Sequence, residues 1–179
     1  MSADAMIDSE GTTYTSAGAT PRGFILGPGE GTPVWFLGNL MVVKATAEST
    51  NGAYGLLESL VPAGSAPPLH VHHREDEAFW VLEGALTVRC GAETWRAPAG
   101  SYVFLPRGTP HTFRVDDDAP VRMLTLLTPG GGERFFVEGG RPAERATLPP
   151  AAPPDFARLQ RVAHDFGSEF VGPPLPATT

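Results

Sequence analysis

Three histidines and one glutamate are spaced so that one metal ion could bind them together. His70 and His72 are separated by a single residue. Successive side chains on a β-strand point to opposite faces, so residues at this spacing present both imidazoles to the same side. Glu77 and His111 follow further along the chain. A strand that carries His70 and His72 would therefore supply two ligands to one metal ion. Glu77 and His111 would have to supply the other two.

Glu77 lies five residues after the second histidine, and this odd separation would turn it away from the imidazoles on an unbroken strand. We therefore predict a turn over the polar residues 73–76 and a new strand over residues 77–82. On that strand, Glu77 shares a face with apolar side chains. A carboxylate on an apolar face is costly to bury unless it is paired or bound to a cation, and a metal would supply the cation.

The fourth side chain lies at the end of a predicted hairpin. Residues 101–105 predict a strand, and the Pro and Gly residues of 106–110 predict a turn, in which Gly108 can adopt a positive φ. The returning strand would carry His111 toward the other three side chains. Three neutral imidazoles and one carboxylate suit one divalent transition metal, whether nickel, iron, manganese, cobalt, copper or zinc, and leave positions open for water, dioxygen or substrate.

These residues resemble the two sequence motifs of the cupin superfamily. The first motif is matched, with five, one, four and six residues between its positions, by Gly64, His70, His72, Glu77 and Gly84. The second motif is matched by Gly100, Pro106, Gly108 and His111, and only its final Asn is replaced, by Val115. That last position is not a ligand. The 15 residues between Gly84 and Gly100 are typical of microbial single-domain cupins.

The flanking segments 34–40 and 128–136 resemble quercetinase-like single-domain cupins of bacteria. The resemblance implies an all-β fold, the cupin double-stranded β-helix or jelly-roll barrel. It implies a metal-dependent dioxygenase that acts with dioxygen on a small aromatic or enolisable, flavonol-like substrate. It also implies two roles for Glu77, as a metal ligand and as the general base that takes the substrate's hydroxyl proton.

Two other classes of function stay open from the sequence. The same barrel supports redox-neutral chemistry, such as a metal-dependent isomerase or cyclase in a biosynthetic pathway. It also supports a non-enzymatic module that binds a small ligand. The intact set of ligands favours an enzyme, because binding cupins commonly lose one or more of them.

Aromatic and sulfur-containing side chains are candidates for the wall of a substrate pocket. Phe79 and Phe113 have the strongest case, because each lies two residues from a proposed ligand on the same strand face. Tyr54, Phe104 and Met123 are further candidates for a pocket that binds a planar substrate.

The charged residues near the motifs have ordinary explanations. We predict that Glu75 and Asp76 belong to the solvated face of a charge run. Arg107 and Arg134 are candidates for anchoring an anionic substrate, but an exposed arginine is the more common case.

Composition restricts the class of protein. With 179 residues, 21 glycines and 19 prolines, the chain fits one domain rich in turns and short strands. A formal net charge of -7 without a basic run argues against nucleic-acid binding. No apolar stretch approaches the roughly 18 residues of a membrane-spanning helix. The first twenty residues lack the apolar core of a signal peptide, and the one cysteine, Cys90, cannot form an internal disulfide, so we predict a cytoplasmic protein.

The chain divides into three predicted segments: a flexible arm over 1–22, a barrel core over 23–130 and a C-terminal extension over 131–179. In the extension, apolar residues at helical spacing follow Asp155, a suitable N-cap, so we predict a short helix that packs on the barrel. Residues 34–47 carry more apolar side chains than the outer face of a lone barrel needs. Similar single-domain cupins often pair through this region, so we expect a homodimer.

Overall fold

The computed structural model describes residues 6–7, 13–14, 22–116, 119–151, 153 and 155–177. Within these residues the strands are β1 (Met6–Ile7), β2 (Thr13–Tyr14), β3 (Thr32–Phe36), β4 (Asn39–Ala45), β5 (Gly55–Val61), β6 (Leu69–His72), β7 (Asp76–Glu83), β8 (Ala85–Cys90), β9 (Glu93–Pro98), β10 (Tyr102–Leu105), β11 (His111–Val115), β12 (Val121–Thr128), β13 (Arg141–Pro142) and β14 (Ser168–Gly172). The helices are α1 (Glu133–Gly139) and α2 (Phe156–Asp165). Neither helix of this described part is long and apolar enough to cross a membrane.

The long strands form two antiparallel sheets. One sheet has the order β10-β7-β12-β5-β4-β3-β13, and the other has the order β14-β6-β11-β8-β9. Side chains from both sheets meet in one core cluster, where the rings of Phe79 and Phe113 lie 5.6 Å apart in an edge-to-face contact. Strands that follow one another along the chain, such as β5, β6, β7 and β8, alternate between the two sheets. Two facing antiparallel sheets connected in this way form a jelly roll. The all-β class predicted from the sequence is confirmed.

Alternating side chains hold the sheets together. On β12, Val121, Met123, Thr125 and Leu127 are buried, and the residues between them are partly exposed. Each fully buried Val or Leu contributes about 1.5–3 kcal/mol relative to an exposed one. A slip of one residue would turn all four side chains outward, so burial fixes the register of the sheet as well as its stability.

The C-terminal extension contributes to both sheets. β13 pairs with β3, and β14 pairs with β6. Helix α2 begins after Asp155, whose carboxylate accepts a hydrogen bond from the backbone N–H of Arg158 at 3.0 Å. Its buried residues Leu159 and Ala163 pack into the second core cluster. In both sheets, therefore, a strand that follows the predicted boundary at residue 130 pairs with a strand that precedes it.

The segment expected to pair two copies is covered within the chain. Trp35, Leu40 and Val42 are buried, and the side chains packed against this cluster include Ala143 and Leu148 from the extension. The apolar excess that motivated the homodimer is thus explained by contacts inside one chain, and the homodimer stays a prediction. The predicted arm over 1–22 lies outside the described residues, apart from the short pair β1–β2 and residue 22.

An ion pair ties the start of β7 to the turn that follows β10. The carboxylate of Asp76 accepts hydrogen bonds from the backbone N–H of Arg107 at 2.9 Å and from its guanidinium at 3.1 and 2.8 Å. These hydrogen bonds lower the pKa of Asp76 to about 2. Asp76 is therefore a paired structural group, which corrects the prediction that it only faces solvent, and the guanidinium of Arg107, a candidate anchor for an anionic substrate, is engaged in this pair.

We expect Asp76→Asn to destabilise the protein in a pH-dependent way. Because the folded pKa of Asp76 lies below its usual value of 3.8, the stabilisation is present above about pH 4 and is lost as the pH falls toward 2. Urea denaturation at several pH values should show a difference from the wild type at pH 6 that shrinks below pH 4. Glu93→Gln, at an exposed carboxylate on β9, is the control. A difference that stays constant over this range would contradict the assignment.

Candidate metal centre

The four predicted ligands come from both sheets. His70 and His72 lie on β6, and His111 begins the neighbouring strand β11, directly opposite His70 in the register. Glu77 is the second residue of β7 in the facing sheet. The turn predicted over residues 73–76 is one residue shorter in the structure, because β7 begins at Asp76; residues 73–75 form the break that turns Glu77 back toward the imidazoles. The site therefore exists only where the two sheets face each other.

The four side chains are close enough to share one ion. Their ligand atoms all lie within 4.8 Å of one another. The Oε2 atom of Glu77 is 3.1 Å from Nε2 of His111 and 3.8 Å from Nε2 of His72. Ligands at about 2.1 Å from one ion lie at most about 4.2 Å apart, so a small contraction suffices. The residues predicted from spacing form a group able to bind a metal.

Backbone carbonyls orient two of the imidazoles. Nδ1 of His70 lies 2.8 Å from the carbonyl oxygen of Pro68, and Nδ1 of His111 lies 2.9 Å from that of Thr109. A carbonyl oxygen can only accept, so each Nδ1 carries the proton and donates it. In neutral His70 the lone pair is then on Nε2. Nε2 of His111 lies 3.1 Å from Oε2 of Glu77 and donates a hydrogen bond to that carboxylate, so it must lose this proton before it can bind a metal. Outer hydrogen bonds from Nδ1 to a carbonyl oxygen are typical of histidines that bind metals.

Burial and proximity set the charges of the group. Desolvation, with the neighbouring imidazoles, lowers the pKa of His70 to about 4, so it is neutral at pH 7. Burial opposes ionisation of Glu77, but the hydrogen bond from His111 and the three imidazoles outweigh it and lower the pKa of that carboxyl. Burial also opposes protonation of His111, and Glu77 overcomes it, so the pKa of His111 is raised. The buried carboxylate of Glu77, surrounded by three imidazoles, is therefore a favourable environment for a metal cation.

A largely apolar cavity adjoins the group. Its volume is about 70 Å³. The wall includes His70, His72, Glu77, Asn39, Thr125 and Ser168, six phenylalanines (Phe36, Phe79, Phe113, Phe135, Phe136 and Phe170), and the aliphatic residues Leu37, Met41, Val61, Pro67 and Met123. Neither Lys nor Arg is among these lining residues. The cavity lies between the two core clusters and draws its wall from both.

Comparison with known proteins agrees with this arrangement. A family model described as a cupin domain matches residues 56–127, which include all four residues of the group. The protein therefore contains a cupin domain. The chain is 30% identical over 129 residues to quercetin 2,3-dioxygenase of Bacillus subtilis (strain 168), covering 72% of this chain and 38% of the relative. It is also 30% identical over 115 residues to quercetin 2,3-dioxygenase of Aspergillus japonicus, covering 60% of this chain and 33% of the relative.

The chain thus spans well under half the length of these curated relatives. Two solved structures share the fold at lower identity. One is a predicted oxalate decarboxylase from Thermotoga maritima, with a TM-score of 0.53 and 21% identity over 58% of this chain and 97% of that chain. The other is an RmlC-like cupin from Shewanella frigidimarina NCIMB 400, with a TM-score of 0.53 and 16% identity over 64% of this chain and 99% of that chain. The resemblance to quercetinase-like cupins is confirmed, and these structures support the fold alone.

The five predicted pocket residues fall in different parts of the structure. Phe79, Phe113 and Met123 line the cavity, but Tyr54 and Phe104 do not. Tyr54 lies in a surface groove that residues 22–24 and 26–29 help to line. Phe104 is exposed on β10, where the inward positions belong to its neighbours. Arg134 pairs with Glu138 at 2.7 Å and also lies outside the cavity wall.

Two residues beside His72 had not been predicted to contribute to the site. Nδ1 of His72 lies 3.1 Å from Oγ of Ser168 on β14 and 3.8 Å from Oε2 of Glu75. Glu75 is buried, which corrects the prediction that it faces solvent, and its Oε2 has no hydrogen-bond partner among the described residues. Burial raises the pKa of Glu75. Ser168 lies beyond the matched cupin domain, so the extension supplies a contact to a candidate ligand of the domain.

We expect Ser168→Ala to weaken metal binding while leaving the fold intact. Losing an outer hydrogen bond to a ligating histidine typically lowers metal affinity by about 10- to 100-fold. Competition with a chromophoric chelator would measure the affinity for Zn²⁺ and Ni²⁺. Ser101→Ala, at a serine outside the cavity wall, is the matched control and should behave as the wild type. Equal affinities in all three proteins would show that Ser168 does not orient His72.

Proposed function

We propose that the protein is a metal-dependent cupin oxygenase that acts with dioxygen on a small aromatic or enolisable substrate. The observation that carries this proposal is the juxtaposition of the His70, His72, Glu77 and His111 group with an apolar, phenylalanine-rich cavity. The similarity to quercetin 2,3-dioxygenases supports oxidative chemistry. In this proposal each chain binds one divalent transition metal.

The three histidines would hold the metal through nitrogen, and Glu77 would hold it through one carboxylate oxygen. The metal would act as a Lewis acid toward a substrate hydroxyl or enol and lower its pKa. Glu77 suits the role of general base. Its carboxylate is buried, its pKa is lowered, and it lies in the wall of the cavity, so it is anionic where a substrate proton would be released.

The cavity favours a substrate smaller than a flavonol. About 10–15 Å³ of such space holds one water molecule, so 70 Å³ accommodates roughly five. That room suits a single ring with short substituents better than the three rings of a flavonol. The proposal therefore shares the chemistry of the quercetinase-like relatives but differs in the size of the substrate.

We also propose a cellular location and an oligomeric state for the protein. Cys90 is a free thiol buried in the core, as suits a compartment that keeps thiols reduced, and we place the protein in the cytoplasm. We retain a homodimer as the proposed assembly. Light scattering at micromolar concentration would test it, and a particle of 18.9 kDa would refute it.

Glu77→Gln and His111→Ala should fail in different ways. The amide that replaces the carboxylate in Glu77→Gln can still coordinate through oxygen but cannot accept the proton, so turnover should fall by about a hundredfold or more while metal is partly retained. His111→Ala removes a ligand, so its loss of activity should follow its loss of metal. Dioxygen uptake with a panel of phenols and enols, alongside elemental analysis, would measure both. His164→Ala, at an exposed histidine of α2, is the matched control.

The outcomes separate the three classes of function. A metal-replete Glu77→Gln protein with full activity would rule out the base role. Turnover by the wild type in strictly anaerobic buffer would replace the oxygenase with a redox-neutral isomerase or cyclase. Binding of panel compounds without turnover under either condition would indicate a small-ligand-binding module.

A further inference from the structure

One polar side chain in the cavity wall has no partner. The hydroxyl of Thr125 bonds to that of Ser59 at 3.0 Å, and the hydroxyl of Ser168 bonds to His72. The histidines and Glu77 bond to carbonyls or to one another. Among the lining residues that the structure describes, the amide of Asn39 alone is uncommitted, and its Oδ1 is buried without a hydrogen bond. A buried amide without a partner is unfavourable, so a ligand that supplies one is favoured.

The β3–β4 hairpin fixes the position of this amide. Phe36 and Asn39 are paired directly across the hairpin, so their side chains share a face, and both line the cavity. The two residues between them, Leu37 and Gly38, have φ values of 50° and 83°. This loop requires left-handed backbone at both positions, which a leucine adopts at a cost. Gly or Asn would be favoured at position 37 by the backbone of the turn. The leucine found there instead contributes an apolar side chain to the cavity wall.

We propose that the cavity binds a small, single-ring molecule with two oxygen substituents, one facing the His70, His72, Glu77 and His111 group and the other, which is uncharged, hydrogen-bonded to Asn39. This inference rests on the proposed function and specifies its substrate class. A half-turn of the amide about χ2 exchanges its oxygen and nitrogen, so Asn39 can accept from a hydroxyl group or donate to it. Asn39 is then a specificity-determining residue.

Charge and size define the rest of the substrate class. Away from the proposed metal, a carboxylate or phosphate substituent would need a cationic donor when it leaves water, and no Lys or Arg lines the described wall. The phenylalanines supply flat apolar surface against which a ring can pack. The volume of about 70 Å³ limits the ligand to about one ring. The cavity thus selects a dioxygenated ring whose substituent at Asn39 is neutral over a multi-ring compound or one that carries a charge at that end.

Binding of two matched probes tests the role of Asn39. Resorcinol carries two hydroxyl groups, and 3-methylphenol replaces one of them with a methyl group of similar size. Titration calorimetry on the metal-loaded protein in anaerobic buffer should show that resorcinol binds about three- to tenfold more tightly, the usual effect of one net hydrogen bond. In Asn39→Leu, which is nearly isosteric, this preference should vanish or reverse while 3-methylphenol still binds. Retained binding of 3-methylphenol also shows that the variant is folded.

Met41→Leu is the control, because it changes an apolar residue of the same wall and should leave the ratio of the two affinities unchanged. An equal affinity of the wild type for both probes, no binding of resorcinol, or an unchanged preference in Asn39→Leu would overturn the inference. The test separates this inference from the proposed function, since it measures binding and no turnover. A preference for resorcinol that depends on Asn39, without dioxygen uptake by any panel compound, would retain the substrate class and reject the oxygenase.

Discussion

The buried carboxylate of Glu77 is the constraint on which the rest of the structure depends. Only 4% of this residue is exposed, and an ion taken out of water costs several kcal/mol unless opposite charge or hydrogen bonds compensate it. The compensation comes from three imidazoles of the facing sheet, which lie close enough to lower the pKa of the carboxyl. The two sheets must therefore face each other in one register for Glu77 to be tolerated. The same arrangement places the imidazole nitrogens and the carboxylate within 4.8 Å of one another, close enough to share one metal ion.

The residues outside the matched cupin domain shape the cavity. Phe135 and Phe136 of α1, with Phe170 of β14, form part of its wall, and the hairpin between β3 and β4 provides another part. The family motif therefore accounts for the candidate ligands, whereas the flanking segments decide the size and polarity of what can approach them.

The sequence predicts the ligands well because their positions follow from local rules. Strand alternation places His70 and His72 on one face, and the break after them restores the parity of Glu77. The same alternation could not place Phe104, because β10 alternates aromatic and aliphatic residues, and hydrophobicity alone does not say which set faces inward. Ser168 lies 96 residues from His72, and the pairing of β14 with β6 that joins them has no local signal. Asn39 was missed for a similar reason, since a hairpin tip becomes a cavity wall only through long-range packing.

The central claim is that Glu77 and the three histidines bind one metal ion together. A crystal structure of the metal-loaded protein, with anomalous diffraction recorded at the metal's absorption edge, tests it most directly. We expect one anomalous peak per chain between the two sheets, at about 2.0–2.2 Å from a nitrogen of each histidine and from an oxygen of Glu77. A metal-soaked crystal in which the four side chains are splayed apart, with peaks only at surface histidines such as His73 and His164, would contradict it.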